Sequence, residues 1–324
     1  MKITLITLAF LFSFQSKAQT EPLVSELKGL RIVGYKGRLT VFADPKADRV
    51  RFKNLAKSAE GIWAPQVTVT DGWLEIRVVG PSNKQDWRTA TIPRQDFEIR
   101  SQSLPLVIAW GEGDVTVKGW TQTVQLSHQQ GKVKVEDGRE RLTLNVHDGD
   151  IEVQRHAGRI DVDNYTARLN LKKVEGPIRV ENFEGRLQVL DCVGDLNLKS
   201  VSGKNFVDNL QGNFEFENQK GEINFSLSGG AVHGKTAAGV IEGRLKGAVD
   251  VRIRSEDARV NLALQKGVGA RVDVASAKGQ VASSFALKVE REENYRVMKG
   301  QIPGSKVSSI FVRSQEGELR LRPL

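Results

Sequence analysis

Glycine returns at every ninth residue, or a multiple of nine, through the middle of this chain: Gly113, Gly131, Gly149, Gly158, Gly176, Gly185, Gly194, Gly203, Gly212, Gly221, Gly230 and Gly239. All twelve share one phase, and only Gln122, Glu140 and Ala167 interrupt the series. Self-similarity at a fixed period is the signature of a repeat architecture, in which a unit buries its apolar face only against its neighbours. No other feature of the chain narrows the possible folds as far.

Counting from each glycine, the second residue is apolar (Ile151, Ile160, Leu169, Ile178, Leu187, Leu196, Phe214, Ile223). So is the fourth (Val153, Val162, Leu171, Val180, Val189, Leu198, Val207, Phe216, Phe225). Polar residues such as Glu152, Asp161, Asn170 and Arg179 stand between them. This alternation predicts a short strand with one buried face. The sixth residue is Asn164, Asn182, Asp191, Ser200, Asn209 or Asn218. Such side chains hydrogen-bond nearby backbone, and Asn and Asp accept left-handed conformations, so the position marks a turn. The seventh, Tyr165, Val174, Phe183, Cys192, Val201 or Leu210, reads as a third inward position at the corner. Glycine then opens the next unit where a Cβ would crowd the bend.

The prediction is an all-β fold: a parallel β-solenoid, or β-helix, of nine-residue strand-turn units, about 18 residues per coil, with a strand-rich N-terminal cap. Seven coils rising ~4.8 Å each would give a rod on the order of 35 Å. The rival is an antiparallel meander of the same strands. One asymmetric turn chemistry at every corner, and the lack of a recurring Asn-Gly or Gly-Gly pair, argue against it. After Gly239 the motif continues at 247–251, 258–262, 270–274 and 279–281 with a longer period, which predicts further rungs with longer corners. The unit at Gly203 puts Asn205 at an inward site and Phe206 outward, as a bulge, a register shift or a contact surface.

Residues 1–18 read as a secretory signal: Lys2, an apolar run from Ile3 to Phe14, then Ser16-Lys17-Ala18 as a cleavage site. The run is too short to span a membrane, and no later segment approaches the length required. The expected location is extracytoplasmic, in a periplasm or at the cell surface. Cys192, the single cysteine, reads as a core filler. Removing the two lysines of the signal leaves 46 Lys and Arg against 39 acids, so the net charge falls from +9 to +7. The densest basic stretch, with Arg31, Lys36, Arg38, Arg49, Arg51 and Lys53, reads as solvated strand faces or as a surface for an acidic glycan, an anionic headgroup or another anionic polymer. Nucleic acid is not an expected partner, because no platform of interleaved aromatic and basic residues is present.

Residues 19–110 are also strand-rich and form the expected N-terminal cap, 111–283 the repeats, and 284–324 the C-terminal rungs or cap. Within the first, 67–70 and 73–78 flank Asp71-Gly72, a favoured hairpin turn. Solenoid ends expose strand edges, and both terminal regions are expected to cover them. The segment 37–42, the 67–78 hairpin, Leu104-Pro105-Leu106-Val107 running into 111–117, the repeated Gly-Asp/Arg-Ile/Leu-x-Val units and 317–321 together resemble the bacterial putative-adhesin family with β-strand repeats, related to the head-GIN putative auto-transporter adhesin domains. The resemblance spans roughly residues 30–324. It implies adhesion by a secreted β-repeat chain and brings no catalytic motif. This chain departs from the commoner pattern in lacking a membrane anchor and in carrying more Arg and Lys outward.

The four histidines, His128, His147, His156 and His233, have no metal-ligand spacing. With 18-residue coils, His147 and His156 fall at opposite corners. Asp150, Glu152, Asp161 and Asp163 are the nearest approach to a carboxylate cluster, and mixed stacking with Lys134, Asn170, Thr143 and Arg179 disperses them. No cofactor is implied. All five tryptophans precede residue 121, and Trp87-Arg88, in a polar stretch, is the candidate platform for sugar rings. The expected function is a secreted, non-enzymatic cell-envelope protein, adhesin-like or scaffolding, that binds glycans or a protein partner. The alternatives are a carbohydrate-active β-helix enzyme, which would need a convergent carboxylate pair, and an end-to-end structural polymer.

Overall fold

The computed structural model describes residues 21–55, 65–78, 92 and 94–324. The signal at 1–18 and the pair Trp87-Arg88 lie outside the described residues. All 24 described strands join one mostly parallel sheet. Pairing advances by 18 residues: Leu142 to Ile160, Ile178, Leu196, Phe214 and Val232 in one column. A second column runs through Val115, Val133, Ile151, Leu169, Leu187, Asn205, Ile223 and Ile241. Isolated parallel bridges join Arg139, Ala157, Glu175, Val193 and Gln211 along one corner. The parallel register excludes the antiparallel meander. The alternating pattern of the sequence is obeyed, with Ile160, Val162, Leu169, Leu171, Ile178 and Val180 all buried.

Between Leu106 and Leu245 the rungs follow chain order. At each end they do not. The strand Gly29–Ala43 pairs on one side with Leu106–Lys118 and on the other with Trp73–Val78 and Gln95–Ser101. Likewise, Lys306–Ser314 and Leu319–Pro323 lie between Asp250–Leu264 and the rung made by Val268–Ser276 and Val281–Ser283. The chain leaves one rung position vacant after residue 264, and its last segment fills it. Among the described residues thirteen rungs are counted along the stack, terminal regions included, and ~4.8 Å per step gives a length of about 58 Å.

The outermost strands are antiparallel additions: Pro65–Thr70 on Trp73–Val78, Arg51–Asn54 on 97–100, and Tyr295–Ile302 with Lys288–Glu292 on Val268–Ser276. The first is the hairpin the Asp71-Gly72 pair predicts, with both turn residues at positive φ (53° and 81°). Arg313, Glu316, Glu318, Arg320 and Arg322 belong to the inserted rung. The exposed, charged edge is Lys288–Glu292.

The two corners of each 18-residue repeat differ. At one, the seventh unit position is inward as expected: Val174, Cys192 and Leu210 are buried, level with Trp120 and His156. At the other it points out, and Tyr165 and Phe183 are 48% and 40% exposed. The inward site there is taken by the sixth residue. Asn164 donates to the Ala167 carbonyl (2.7 Å) and to Asn182 Oδ1 (2.8 Å), and Asn182 donates to the Gly185 carbonyl (2.8 Å) and to Asn205 Oδ1 (3.0 Å). Asn205 donates to Ser200 Oγ (3.0 Å), and Asn218 to the Gly221 carbonyl (3.2 Å) and Thr236 Oγ1 (3.0 Å). A buried amide satisfied in this way locks the corner, because an unpaired one would cost about 1–3 kcal/mol. Asn205 is therefore a ladder member, reaching from the second column to the place where Ser200 is too short.

Some inward glycines make room for rings. A Cβ on Gly34 would collide with the Trp110 ring, one on Gly234 with Phe216, and one on Gly243 with Phe225. The large residue of one rung occupies the volume the neighbouring rung leaves empty, which packs these positions densely.

Candidate ligand groove

The corner that carries the asparagine ladder is concave on its outer side. A groove of about 1000 Å³ runs along it from Gln129 to Gln315. Each repeat rung contributes two side chains. One is the last outward residue of the first strand: Asn145, Asp163, Glu181, Lys199, Glu217, Lys235 or Arg254. The other is the corner residue: His147, Tyr165, Phe183, Val201, Gln219, Ala237 or Glu256. The floor is the buried ladder of Asn164, Asn182, Ser200, Asn218 and Thr236. Nine rungs line it, so its length is roughly 38 Å at ~4.8 Å per step.

The groove has two chemically different halves. In the first, Tyr165 and Phe183 stack with centroids 4.8 Å apart and planes 6° from parallel, and His147 meets Tyr165 edge-on at 4.9 Å. Asn145, Asp163 and Glu181 face these rings across the groove. In the second half, Lys199, Glu217, Lys235 and Arg254 occupy successive rungs. Among the described residues, none of these four side chains closes an ion pair, and Lys199, Lys235 and Arg254 are exposed. Past Arg254 the space continues against the hairpin Lys288–Ile302, whose Tyr295 and Glu292 stand beside Arg313 and Gln315. Arg313 itself is engaged, with Asp273 at 2.9 Å and the Phe311 ring centroid at 4.1 Å.

The basic residues singled out in the sequence are dispersed. Arg38 lies 4.0 Å from Asp96 in the second column, while Arg31 sits in the first column, 5.5 Å over the Trp73 ring. Arg49 donates to the Glu21 carbonyl (2.7 Å). Arg51 and Lys53 are on the short edge strand, opposite Arg100 and Glu98. Trp110 and Trp120 are buried, donating to the carbonyls of Gly37 (3.2 Å) and Leu104 (2.7 Å). The carboxylates divide as well. Asp150 and Glu152 are in the second column and Asp161 and Asp163 in the first. Asp161 receives hydrogen bonds from Arg159 and Arg141, and the Arg159 bond above all holds its carboxyl below the usual range. Glu152 stacks between Lys134 and Asn170, and Asp161 between Thr143 and Arg179, as 18-residue coils require. His147 and His156 are at opposite corners. No group of three metal-ligating side chains is found among the described residues.

Sequence reasoning missed the groove because it assigned Tyr165 and Phe183 to the core. The one available signal was their company. They follow Asn164 and Asn182, whereas the buried Val174 and Cys192 follow Lys173 and Asp191, which take left-handed backbone (both φ 53°). An asparagine in ordinary conformation can turn inward and leave the next residue outside.

No family model matches the chain, and no curated protein matches it. A distant structural neighbour, described as a putative cell adhesion protein from Clostridium sporogenes, aligns over 94% of this chain and 97% of its own, with 14% identity and a TM-score of 0.22. A likeness that low carries no argument about fold or function.

Proposed function

We propose that this protein is a parallel β-solenoid of 18-residue coils that acts outside the cytoplasm as a non-enzymatic binding module of the cell envelope, adhesin-like, taking an extended ligand lengthwise in the groove. The observation that carries this reading is the groove's continuity. One polar and one corner side chain are presented on every repeat rung over a floor whose amides from Asn164 to Asn218 are already hydrogen-bonded. A rigid scaffold that repeats the same pair of positions suits a polymer, since many weak contacts add along its length. The exposed Tyr165–Phe183 pair supports it further, because exposed aromatic rings, with the hydroxyl of Tyr165 as a polar handle, anchor ligands on such surfaces. The non-enzymatic reading is supported by Asp150 and Glu152 lying on the second column, away from the groove, and by Arg179 engaging Glu181, the groove carboxylate next to Asp163; glycoside cleavage needs two carboxyl groups free to face one bond.

The test is a pull-down of purified residues 19–324 with cell-wall polymer, lipopolysaccharide and a polysaccharide panel, at low and high salt. The variant Tyr165→Ser/Phe183→Ser is run alongside. Binding that the variant loses is the expected result. Binding indifferent to the variant would remove the groove from the account, and release of soluble sugar would make the protein an enzyme.

A further inference from the structure

The charge sequence along the groove is not uniform, and it constrains the ligand. Resting on the groove reading above, we infer that the occupant is a polysaccharide in which carboxylate-bearing sugars alternate with neutral ones, its acidic groups held by Lys199 and by Lys235 with Arg254.

Lys199 and Lys235 stand two rungs apart, about 9.6 Å at ~4.8 Å per step, with Glu217 on the rung between them. Neighbours this close would be expected to pair. Among the described residues neither lysine closes an ion pair, nor does Glu217. All three are exposed and line the groove. Arg254 follows Lys235 directly, so two uncompensated cations adjoin at the end of the row. Like charges on facing strand positions disfavour the fold, and an anionic ligand relieves that cost. An ammonium and a guanidinium side by side can bind one carboxylate through charge-assisted hydrogen bonds.

Glu217 is the discriminating residue. A chain with an acid on every sugar would set a carboxylate against it, whereas a neutral sugar would offer it a hydroxyl to accept. Asp163, beside Tyr165, disfavours dense negative charge in the other half in the same way, whereas Glu181 is already engaged by Arg179. A pyranose in an extended chain advances by close to one rung. Acid, neutral, acid along the sugar chain then meets cation, anion, cation along the protein.

Three decasaccharide probes test this by calorimetry: hyaluronan, which alternates glucuronate with a neutral amino sugar; the same oligosaccharide with its carboxyls reduced to alcohols; and decagalacturonate, acidic at every sugar. The expected order has hyaluronan tighter than either of the others by about tenfold, as the loss of a charge-assisted contact implies. Lys199→Ala/Lys235→Ala should abolish that advantage without changing the thermal midpoint. Equal affinity for the reduced probe, tightest binding of decagalacturonate, or displacement by polyglutamate would each overturn the inference. So would no binding of hyaluronan while the envelope pull-down still depends on Tyr165 and Phe183; in that event the groove reading stands and only the ligand class falls. A pull-down indifferent to Tyr165 and Phe183 removes the groove itself.

Discussion

At the scale of the residue, the nine-residue glycine series contains two kinds of glycine. Gly158, Gly176, Gly194 and Gly212 have φ between 131° and 154°, and a Cβ on any of them would run into the carbonyl of the residue 18 positions earlier in the stack. Gly185, Gly203 and Gly221 do not take positive φ; a Cβ there would meet the same carbonyl 18 residues earlier and also the asparagine ladder. Two of the interruptions follow from this difference. Ala167 falls at a corner of the second kind, where an L residue is tolerated, and Glu140 falls at the first kind and adopts φ 61°. Gly194→Ala should therefore destabilise by at least about 1–3 kcal/mol from backbone strain alone. Ala167→Gly should cost about 1–2 kcal/mol, from added chain entropy and the loss of one buried methyl. Urea denaturation of both variants checks the ranking, and a smaller loss for Gly194→Ala would contradict the packing described here.

At the scale of the element, the strands were legible and the corners only partly so. A strand with one buried face needs alternation and nothing else, and 160–164 or 178–182 state it plainly. A corner offers two adjacent residues for one inward site, and which of them enters depends on backbone conformation. The buried corner column holds a further consequence. His156 donates from Nε2 to the Glu140 carbonyl (2.9 Å), and in the first column His128 donates from Nδ1 to the Trp110 carbonyl (3.2 Å). Burial lowers the pKa of both rings below the ordinary value near 6.5, the carbonyl contacts only partly opposing it. The folded state thus holds neutral rings, and the unfolded chain takes up protons that the folded one does not. Their stabilising contribution is whole above about pH 6.5 and is lost as pH falls below it, by at most ~1.4 kcal/mol per pH unit for each ring. Thermal midpoints measured from pH 8 to pH 5 should fall across the lower part of that range, and His128→Leu/His156→Leu should flatten the dependence. An unaltered slope would show that neither ring carries it.

At the scale of the whole molecule, both terminal segments are interior rungs. Residues 306–323 bring Ile310, Val312, Leu319 and Leu321 into the core, and Ser308 is pinned there by Val249 N–H (3.2 Å) and the Gly247 carbonyl (3.0 Å). Each such apolar side chain contributes about 1.5–3 kcal/mol on burial. The chain ending at residue 302 should lose a rung from within the stack, leave 268–302 without its partner, and unfold at a markedly lower temperature with 268–302 cleaved first by protease. An unchanged midpoint would mean that the rung is dispensable. The outer edges carry their own protection: Lys288–Glu292 is exposed, with four of its five residues charged, and Pro65 opens the strand at the other end. Charged or proline-bearing edges resist pairing with another chain.

The sequence by itself determined the period, the strands, their parallel stacking in steps of 18 and most of the core, because each depends on contacts between residues at a fixed separation. Only the tertiary structure decided the order of the terminal rungs, since residues 43, 101 and 306 join partners tens of residues away with no repeat to declare the register. It also decided the groove. Whether Asn164 or Tyr165 faces the core is settled by the amide partner waiting on the next rung, Asn182, and that partner exists only once the coils are stacked.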